Sequence, residues 1–473
     1  MGEVLLHVPG GGASRRIGWL SKVGDNLRVS FAKEYVQDPQ RPTLSTVYRL
    51  ESDEATRQVL TAINDERLVR IGKLPSYFQN LLPEGINRQR LAERRGVAVS
   101  DEFELLAAAG HDLIGGVEVV PAHSVPHDVT KLHATKGLEP LEPSAVASPL
   151  DDGWSLGGYV TKFSMVYTGR RYVVRRGTDA GQIIAKLPST DYPDMVHNEA
   201  ACYRLAAAVG MEHAGATARP IAELAIDADL PHEFTHYLHV PRFDRELLAD
   251  GRVQRIHFEE LIQALGMDAG HKYRNLGSGI VALNRMLVRS PASGYHQVLE
   301  VFRRWTAFAL MGGADAHLKN WAVIYRDGIN PALAPAYDLV CVSCYFNQAD
   351  PNQLSMNKAM DGVLRRWTPD AAVAVARDSG LLQVNQVRKM VFDTAAQALE
   401  AWPQLLKDAP PRLRKEVTAR LAALVPQLSR PDSPKPRGKA SAQATPTPAA
   451  RPRTGQEDQL PSVAKHGPSR RRP

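Results

Sequence analysis

The sequence predicts an α+β fold in which strands come first and helices follow. Segments such as YVTKFSMVY and QIIAKLP are short apolar runs of the kind that forms β-strands. From Arg255 onward apolar residues recur at helical spacing, as in HQVLEVFRRWTAFALM and PPRLRKEVTARLAALVPQL. A strand-rich part followed by a helix-rich part predicts two packed lobes. The 473 residues, 44% hydrophobic and 23% charged, are typical of a soluble globular protein with a substantial core.

Residues 1–125 are predicted to form an N-terminal β/α subdomain that precedes the two lobes. EVLLHV, IGWLSKV, LRVSFA and TVYRL are predicted strands, and residues 53–110 follow helical spacing. A helix ending at Gly96 and another capped by Ser100 are similar to the first half of a helix-turn-helix. The second helix, DEFELLAAAG, is acidic and apolar, which is unfavourable opposite DNA phosphates. We therefore interpret the pair as a packed helical hairpin.

Two irregular segments flank the predicted lobes. Residues 126–150 are rich in Pro, Ser and His and are predicted to be a linker or a covering loop. Residues 151–245 form the predicted strand-rich lobe, and residues 246–428 form the predicted helical lobe. Residues 429–473 are Pro-rich and basic and are predicted to be disordered. This tail carries nearly all of the formal net charge of +7, so the charge is no evidence that the folded body binds nucleic acid.

The composition also predicts where the protein works. No apolar stretch approaches 20 residues, and the first residues lack the pattern of a signal peptide, so no membrane partner is expected. Three cysteines, Cys202, Cys341 and Cys344, argue against a disulfide scaffold. These observations predict a cytoplasmic protein.

Two patterns contain the letters of metal sites, and we predict that neither binds metal. His232-Glu-Phe-Thr-His236 matches the H-E-x-x-H zinc motif, which requires a helix to bring both imidazoles to one face. The residues that follow this segment are instead predicted to form a strand. Residues four apart on a strand lie roughly 13 Å from each other. Cys341-Val-Ser-Cys344 lacks a second Cys pair, so we interpret its cysteines as small buried residues.

The segment MGGADAHLKNWAVIYRDGINPALAPAYDL contains the residues with the clearest chemistry. Asp315 is followed five residues later by Asn320, then by a predicted β-hairpin and by Asp338. This is the order of the phosphoryl-transfer residues of protein kinases, in which one Asp orients the attacking hydroxyl. The Asn and the second Asp hold the metal ions that bridge the ATP phosphates. An isolated D-x-x-x-x-N is common in solvated loops, so the hypothesis depends on further motifs.

Two such motifs lie upstream. Lys186 ends the apolar run QIIAKLP, where a strand can present its ammonium to ATP phosphates. WSLGGYVTK contains adjacent glycines that let backbone amides approach phosphate oxygens, although it matches neither G-x-G-x-x-G nor a Walker A loop.

Together these motifs resemble the HipA family, the serine/threonine kinase toxins of type II toxin–antitoxin modules. The resemblance extends from about residue 15 to about residue 425. It rests on LPSYFQNLLPEG, FELLAAAGHDLIGGVEVVP, SLGGYVTK, IIAKLP, NEAACYRLAAAVGM, VPRFDR, GGADAHLKNWAVIY and APAYDL. It implies a protein-kinase-like bilobal HipA fold with an N-terminal β/α subdomain.

The resemblance also implies a role for individual residues. They are the catalytic Asp315; the Mg²⁺ ligands Asn320 and Asp338; the phosphate-contacting Lys186; the phosphate-loop residues Ser155, Leu156, Gly157 and Gly158; the pocket residues His317 and Tyr337; and the adenine contacts Val240 and Phe243. Ser155 matches the family's regulatory serine, whose autophosphorylation silences the enzyme. Val160-Thr161 stands where the family usually has Gln-Glu, and Pro241 stands where its hinge usually has Glu, so the chain departs from the family pattern in the phosphate loop and in the segment that contacts adenine.

The resemblance implies a function as well. The enzyme would use ATP and Mg²⁺ to phosphorylate a Ser or Thr of an aminoacyl-tRNA synthetase, of which glutamyl-tRNA synthetase is the best-known case, and cause growth arrest. Its partner would be a HipB-like helix-turn-helix antitoxin, through which it would reach operator DNA. Two alternatives remain open. One is a non-catalytic kinase-fold module that acts as a co-repressor, and the other is a DNA-binding regulator that uses residues 85–110 and the basic tail.

Overall fold

The computed structural model describes residues 1–10, 14–122, 161–175, 180–226, 230–345 and 355–428. All of these belong to one unit of the chain, Met1–Ser429. The predicted linker at residues 126–150, the SLGG segment and the basic tail lie outside the described residues.

The N-terminal subdomain is built on a five-stranded antiparallel sheet. Its strands are β1 (Gly2–His7), β2 (Ser14–Val23), β3 (Asn26–Phe31), β4 (Val69–Ile71) and β5 (Val117–Pro121), in the order β4-β3-β2-β1-β5. Its helices are α1 (Lys33–Gln37), α2 (Asp53–Leu60), α3 (Ser76–Gln79), α4 (Gly85–Arg95) and α5 (Glu102–Ala109). Tyr77, Phe78 and Leu105 are fully buried in a core that this subdomain forms from its own residues.

Two predictions for this subdomain are corrected by the structure. TVYRL is a turn and not a strand, because the Thr46 amide and the Ser45 hydroxyl donate to the Glu259 carboxylate at 2.9 and 2.5 Å. The cap of α5 is Asp101 and not Ser100, since the Asp101 carboxylate accepts from the Glu104 amide. The predicted helical hairpin is confirmed, with α4 ending at Gly96 in the left-handed conformation (φ 70°) and packing against α5.

The strand-rich lobe contains a six-stranded sheet. Its strands are β6 (Lys162–Tyr167), β7 (Tyr172–Val174), β8 (Ile183–Lys186), β9 (Thr217–Pro220), β10 (Leu224–Ala225) and β11 (His236–Pro241), in the order β10-β7-β6-β8-β11-β9. Helix α6 (Met195–Ala208) packs against β9 and β11. Side chains alternate along β8, so that Ile183 and Ala185 enter the core while Lys186 faces the opposite side.

The last lobe is mostly helical and carries a short antiparallel sheet. Its helices are α7 (Leu261–Ala264), α8 (Leu276–Arg289), α9 (Tyr295–Met311), α10 (Ser355–Leu364), α11 (Pro369–Asp378), α12 (Val384–Leu405) and α13 (Pro411–Leu428). After the hairpin of β12 (Arg245–Leu247) and β13 (Val253–Arg255), its sheet consists of β14 (Phe258–Glu260), β15 (Ala322–Ile324) and β16 (Ala332–Leu333). FEELIQALGM lies in the region after Arg255 that is predicted to be helical, but it begins as β14 because its first residues pair with β15.

The remaining expectations concern the two sequence patterns that look like metal-binding motifs and the absence of a membrane span. His236 begins strand β11, as predicted, so the H-E-x-x-H letters do not lie on a helix. Cys341 is buried, Cys344 is half-buried, and both are free thiols. Within the described ranges, no helix has the length and apolar character needed to cross a lipid bilayer.

His257 connects the N-terminal subdomain to the helical lobe through hydrogen bonds. Because it is buried, we expect the free energy of unfolding to depend on pH. Its Nε2 donates to the Leu44 carbonyl at 2.7 Å, and its Nδ1 accepts from the Gly116 amide. Burial lowers the pKa of His257 to about 4, against about 6.5 in the unfolded chain. Between these two pH values His257 is therefore protonated in the unfolded state and neutral in the folded state. Stability should fall by about 1.4 kcal/mol per pH unit as the pH drops from 6.5 towards 4.

The measurement is denaturant unfolding at pH 7 and at pH 5. H257Q keeps a donor and an acceptor but does not titrate, so it should lose less stability than the wild type over this interval. Equal losses in the two proteins would contradict the assignment of a neutral His257.

Candidate active site

A cavity of about 360 Å³ is lined by residues of all three parts of the chain. Its wall contains eight of the predicted site residues: Lys186, Val240, Phe243, Asp315, His317, Asn320, Tyr337 and Asp338. The predicted phosphate-loop residues Ser155, Leu156, Gly157 and Gly158 lie outside the described residues. The described part of the predicted site therefore converges in one place.

Lys186 lies between two carboxylates at the end of strand β8. Its Nζ donates to the Glu199 carboxylate at 2.7 Å and to the Asp338 carboxylate. Burial opposes ionisation of Asp338, but Lys186 and Lys162 outweigh it and hold the pKa of Asp338 well below its usual range. The carboxylate is therefore ionised at neutral pH and fixes the ammonium inside the cavity.

Glu199 is a site residue that the sequence analysis missed. It lies on α6 and is buried, so its pairing with Lys186 fixes the direction of the lysine side chain. Protein kinases contain a similar ion pair between a strand lysine and a helix glutamate. The available signal was the one acidic residue in the largely apolar segment NEAACYRLAAAVGM.

Asp338 has an unusual backbone conformation. Its φ of 53° lies in the left-handed region, which a residue with a side chain seldom adopts. Such conformations cost on the order of 1 kcal/mol and persist where the surrounding structure imposes them, often at functional sites.

The loop that carries Asp315 begins where α9 ends. Gly312 has a φ of 73°, and a Cβ at this position would lie 3.0–3.2 Å from Arg420, Ser343 and Cys341, so glycine is required. At the other end of the loop, Trp321 is almost fully buried and donates to the Ala316 carbonyl at 3.3 Å. Both ends of the loop are thus fixed.

Two hydrogen bonds orient Asp315 and Asn320. The Tyr273 hydroxyl donates to Asp315 Oδ1 at 2.9 Å, and Asn320 Nδ2 donates to the Asp315 carbonyl at 2.7 Å. Because the Asn320 nitrogen is the donor here, the amide oxygen is the atom that can ligate a metal. Burial raises the pKa of Asp315 to about 6, and the Tyr273 hydrogen bond opposes this rise. A carboxyl group with a pKa of about 6 can accept a proton near neutral pH.

The rest of the wall is largely aromatic. The Phe243 ring lies 5.6 Å from the Tyr337 ring and 4.8 Å from the Phe258 ring, between centroids. The Tyr337 hydroxyl donates to the Lys319 carbonyl at 2.7 Å. Burial lowers the pKa of His317 to about 3, so its imidazole is neutral. These rings provide a flat apolar surface beside the charged groups.

A buried ion network fixes the segment that follows Val240. Arg242 pairs with Asp112 of the N-terminal subdomain at 2.9 Å and with Asp244 at 2.8 Å. Arg245 pairs with the same two carboxylates. Each of these charges is buried, so removing one partner would leave another uncompensated. The N-terminal subdomain thereby holds the segment between β11 and β12 in place.

The donor set fits Mg²⁺. Among the described residues, no three His, Cys, Asp or Glu side chains are grouped as a metal site. Mg²⁺, however, is commonly held by one or two protein oxygens together with substrate phosphates and water. The Asp338 carboxylate and the Asn320 amide oxygen, on the wall of one cavity, match that requirement.

Comparisons with known proteins identify the family of this chain. Residues 154–402 match the family model of the HipA-like C-terminal domain, and residues 12–120 match that of the HipA N-terminal domain. Y4dM of Sinorhizobium fredii is 30% identical over 379 residues, which cover 78% of this chain and 84% of the relative. The serine/threonine-protein kinase toxin HipA of Shewanella oneidensis is 31% identical over 299 residues, covering 58% and 64%.

A solved structure has the same fold. In the complex of Shewanella oneidensis HipA, HipB and operator DNA, the matching chain superimposes with a TM-score of 0.61 at 22% identity. The match covers 90% of this chain and 96% of that chain. The predicted bilobal protein-kinase-like fold is thus confirmed, and the protein belongs to the HipA family.

Proposed function

We propose that this protein is a serine/threonine kinase toxin of a bacterial toxin–antitoxin module. It transfers the γ-phosphate of ATP to a Ser or Thr hydroxyl of a protein. The observation that carries the proposal is the convergence of Lys186, Asp315, Asn320 and Asp338 on one cavity, although Lys186 and Asp338 are 152 residues apart in the chain. The Shewanella oneidensis relative, named a kinase toxin, supports it.

Four residues of the cavity have different roles in the proposed phosphoryl transfer. The acceptor oxygen bonds to the γ-phosphorus while the bond from that phosphorus to the β–γ bridging oxygen breaks and its electron pair stays with ADP. Asp315 accepts the hydroxyl proton, and Lys186 binds the phosphates. Asn320 and Asp338 would hold Mg²⁺, which supplies positive charge beside the phosphates. Positioning and electrostatic stabilisation by these groups account for the catalysis.

The nucleotide base would occupy the aromatic side of the cavity. By the family resemblance, Val240 would contribute backbone groups and Phe243 its ring, while His317 and Tyr337 line the pocket. Pro241 has no N–H, so one backbone donor to adenine is missing. Recognition of adenine would therefore depend more on stacking and shape than on paired hydrogen bonds.

Regulation and partners complete the proposal. Ser155 is the proposed autophosphorylation site, because a phosphate-loop hydroxyl comes near the γ-phosphate when the loop turns outward. The Shewanella oneidensis complex contains HipB and operator DNA, so a HipB-like helix-turn-helix antitoxin is the proposed partner, with DNA reached through it. The proposed substrate is an aminoacyl-tRNA synthetase such as glutamyl-tRNA synthetase, by family resemblance.

The DNA-binding alternative gains no support from α4 and α5. Arg95 on α4 pairs with Glu104 on α5 at 2.8 Å, so the two helices neutralise part of each other's charge. Phe103 and Leu105 of α5 are buried in the subdomain core and are not available to a groove. The non-catalytic module remains the alternative that an experiment must separate.

The deciding experiment is a phosphotransfer assay on the purified full-length chain with labelled ATP and Mg²⁺. We expect label on the protein itself, and mass spectrometry should locate it at Ser155. Bound ATP without any transferred label, to the chain or to added synthetases, would reject the kinase and favour the non-catalytic module.

A further inference from the structure

Lys272 is a cavity residue that no motif predicted. It lies just before α8, is buried, and lines the same cavity as Asp315. The backbone around it is tied to the catalytic loop, because the Leu318 amide donates to the Lys272 carbonyl at 3.0 Å. The next residue, Tyr273, donates its hydroxyl to Asp315. The position of Lys272 is thus set by the loop that carries the proposed base.

The side chain of Lys272 is held from the N-terminal subdomain. Its Nζ donates to Glu84 Oε2 at 2.6 Å. Burial opposes ionisation of Glu84, but Lys319 and Lys272 outweigh it and lower its pKa. Glu84, which precedes α4, is thus a charged positioning residue. An ammonium has three N–H donors, so the contact with Glu84 is compatible with a contact to a ligand oxygen.

Other basic residues near the catalytic loop have different structural roles. Lys319 donates to the Asn80 carbonyl at 2.9 Å and pairs with Glu260 at 2.7 Å, which ties it beneath the loop. His317 is neutral. Lys186 pairs with Asp338. Lys272 lines the cavity together with Asp315, and its charge opposes the rise in the pKa of Asp315.

We infer that Lys272, oriented by Glu84, contacts the transferred phosphoryl group on the acceptor side of the cavity, an inference that rests on the proposed function. Negative charge spreads over the equatorial oxygens of that group while the acceptor hydroxyl attacks. An ammonium fixed in the cavity that Asp315 and Lys186 also line would stabilise this charge. The N-terminal subdomain therefore contributes to transfer through Glu84.

The test compares K272M, K272R and E84Q with the wild type, using full-length protein. Phosphotransfer with Mg²⁺ and labelled ATP should fall about 10²- to 10³-fold in K272M. This is the usual loss when a hydrogen-bond donor that stabilises negative charge in a transition state is removed. K272R should retain more activity than K272M, and E84Q should show a smaller loss. The affinity for ATP should fall in K272M while the affinity for ADP stays unchanged, because only ATP carries the γ-phosphate.

K22M is the matched control. Lys22 pairs with Asp101 at 2.9 Å in the N-terminal subdomain, and neither residue lines the cavity. This variant loses a lysine of an ion pair and should keep full activity. Thermal unfolding of every variant shows whether it is folded, and K272Q, which keeps a donor to Glu84, replaces K272M if the latter does not fold.

Two results would overturn the inference. One is transfer by folded K272M within about threefold of the wild type, and the other is an equal loss of ATP and ADP affinity. If the wild type binds ATP but transfers no phosphate, the proposed function fails on its own. The ratio of ATP affinity to ADP affinity still tests whether Lys272 faces the γ-phosphate. If K272M has the same ratio as the wild type, the contact between Lys272 and the γ-phosphate is rejected.

Discussion

Replacement of Asp315 by asparagine is expected to lower phosphotransfer by about 10²- to 10⁴-fold, the usual contribution of a general base. Asparagine has the same shape, and its amide oxygen can still accept from the Tyr273 hydroxyl. It cannot accept the proton of an attacking hydroxyl. The loss should therefore appear in kcat, with the affinity for ATP retained.

The stability of this variant should not suffer. Asp315 is half-buried, and burial works against its charged form, as its raised pKa indicates. A neutral side chain of equal size removes that cost. Denaturant unfolding should give a free energy of unfolding equal to or above that of the wild type.

D250N is the matched control for the same chemical change. Asp250 is exposed in the β12–β13 turn, pairs with Arg252 at 2.7 Å and does not line the cavity. It should transfer phosphate at the wild-type rate. Full activity in D315N would reject Asp315 as the base.

Local sequence could place the residues of the proposed catalytic segment on one loop because they are close in the chain. Asp315 and Asn320 lie on one short loop between α9 and β15, and the predicted hairpin before Asp338 is formed by β15 and β16. Lys186 was predicted for a similar reason, since the end of a buried strand fixes the face on which a side chain emerges. Periodicity and turn residues carry this information.

Contacts between distant segments could not be predicted in this way. Glu84 reaches Lys272 across 188 residues, and nothing in LLPEG indicates which lobe it meets. Thr46 and Ser45 form a turn because Glu259, 213 residues further on, accepts from both. The first residues of FEELIQALGM have helical spacing, yet pairing with β15 makes them a strand. In each case tertiary contacts override the local pattern.

Replacement of Asp338 by asparagine should remove the dependence of ATP binding on Mg²⁺ and lower phosphotransfer by about 10³-fold. In the wild type the Asp338 carboxylate beside Lys186 repels ATP phosphates unless a cation lies between them. Without that carboxylate, ATP should bind without Mg²⁺ at least as tightly as before, and added Mg²⁺ should no longer tighten binding. Lys186 keeps Glu199 as its partner, so the variant should fold.

Asp194 offers a control with a positive φ similar to that of Asp338. Its φ is 61°, it is exposed, and it does not line the cavity. Because asparagine tolerates the left-handed conformation, D194N and D338N impose similar backbone demands. ATP affinity measured by calorimetry with and without Mg²⁺ should depend on the metal in D194N and not in D338N. If Mg²⁺ tightened ATP binding equally in both variants, Asp338 would not be a metal ligand, because the loss of its charge would have had no effect on the metal.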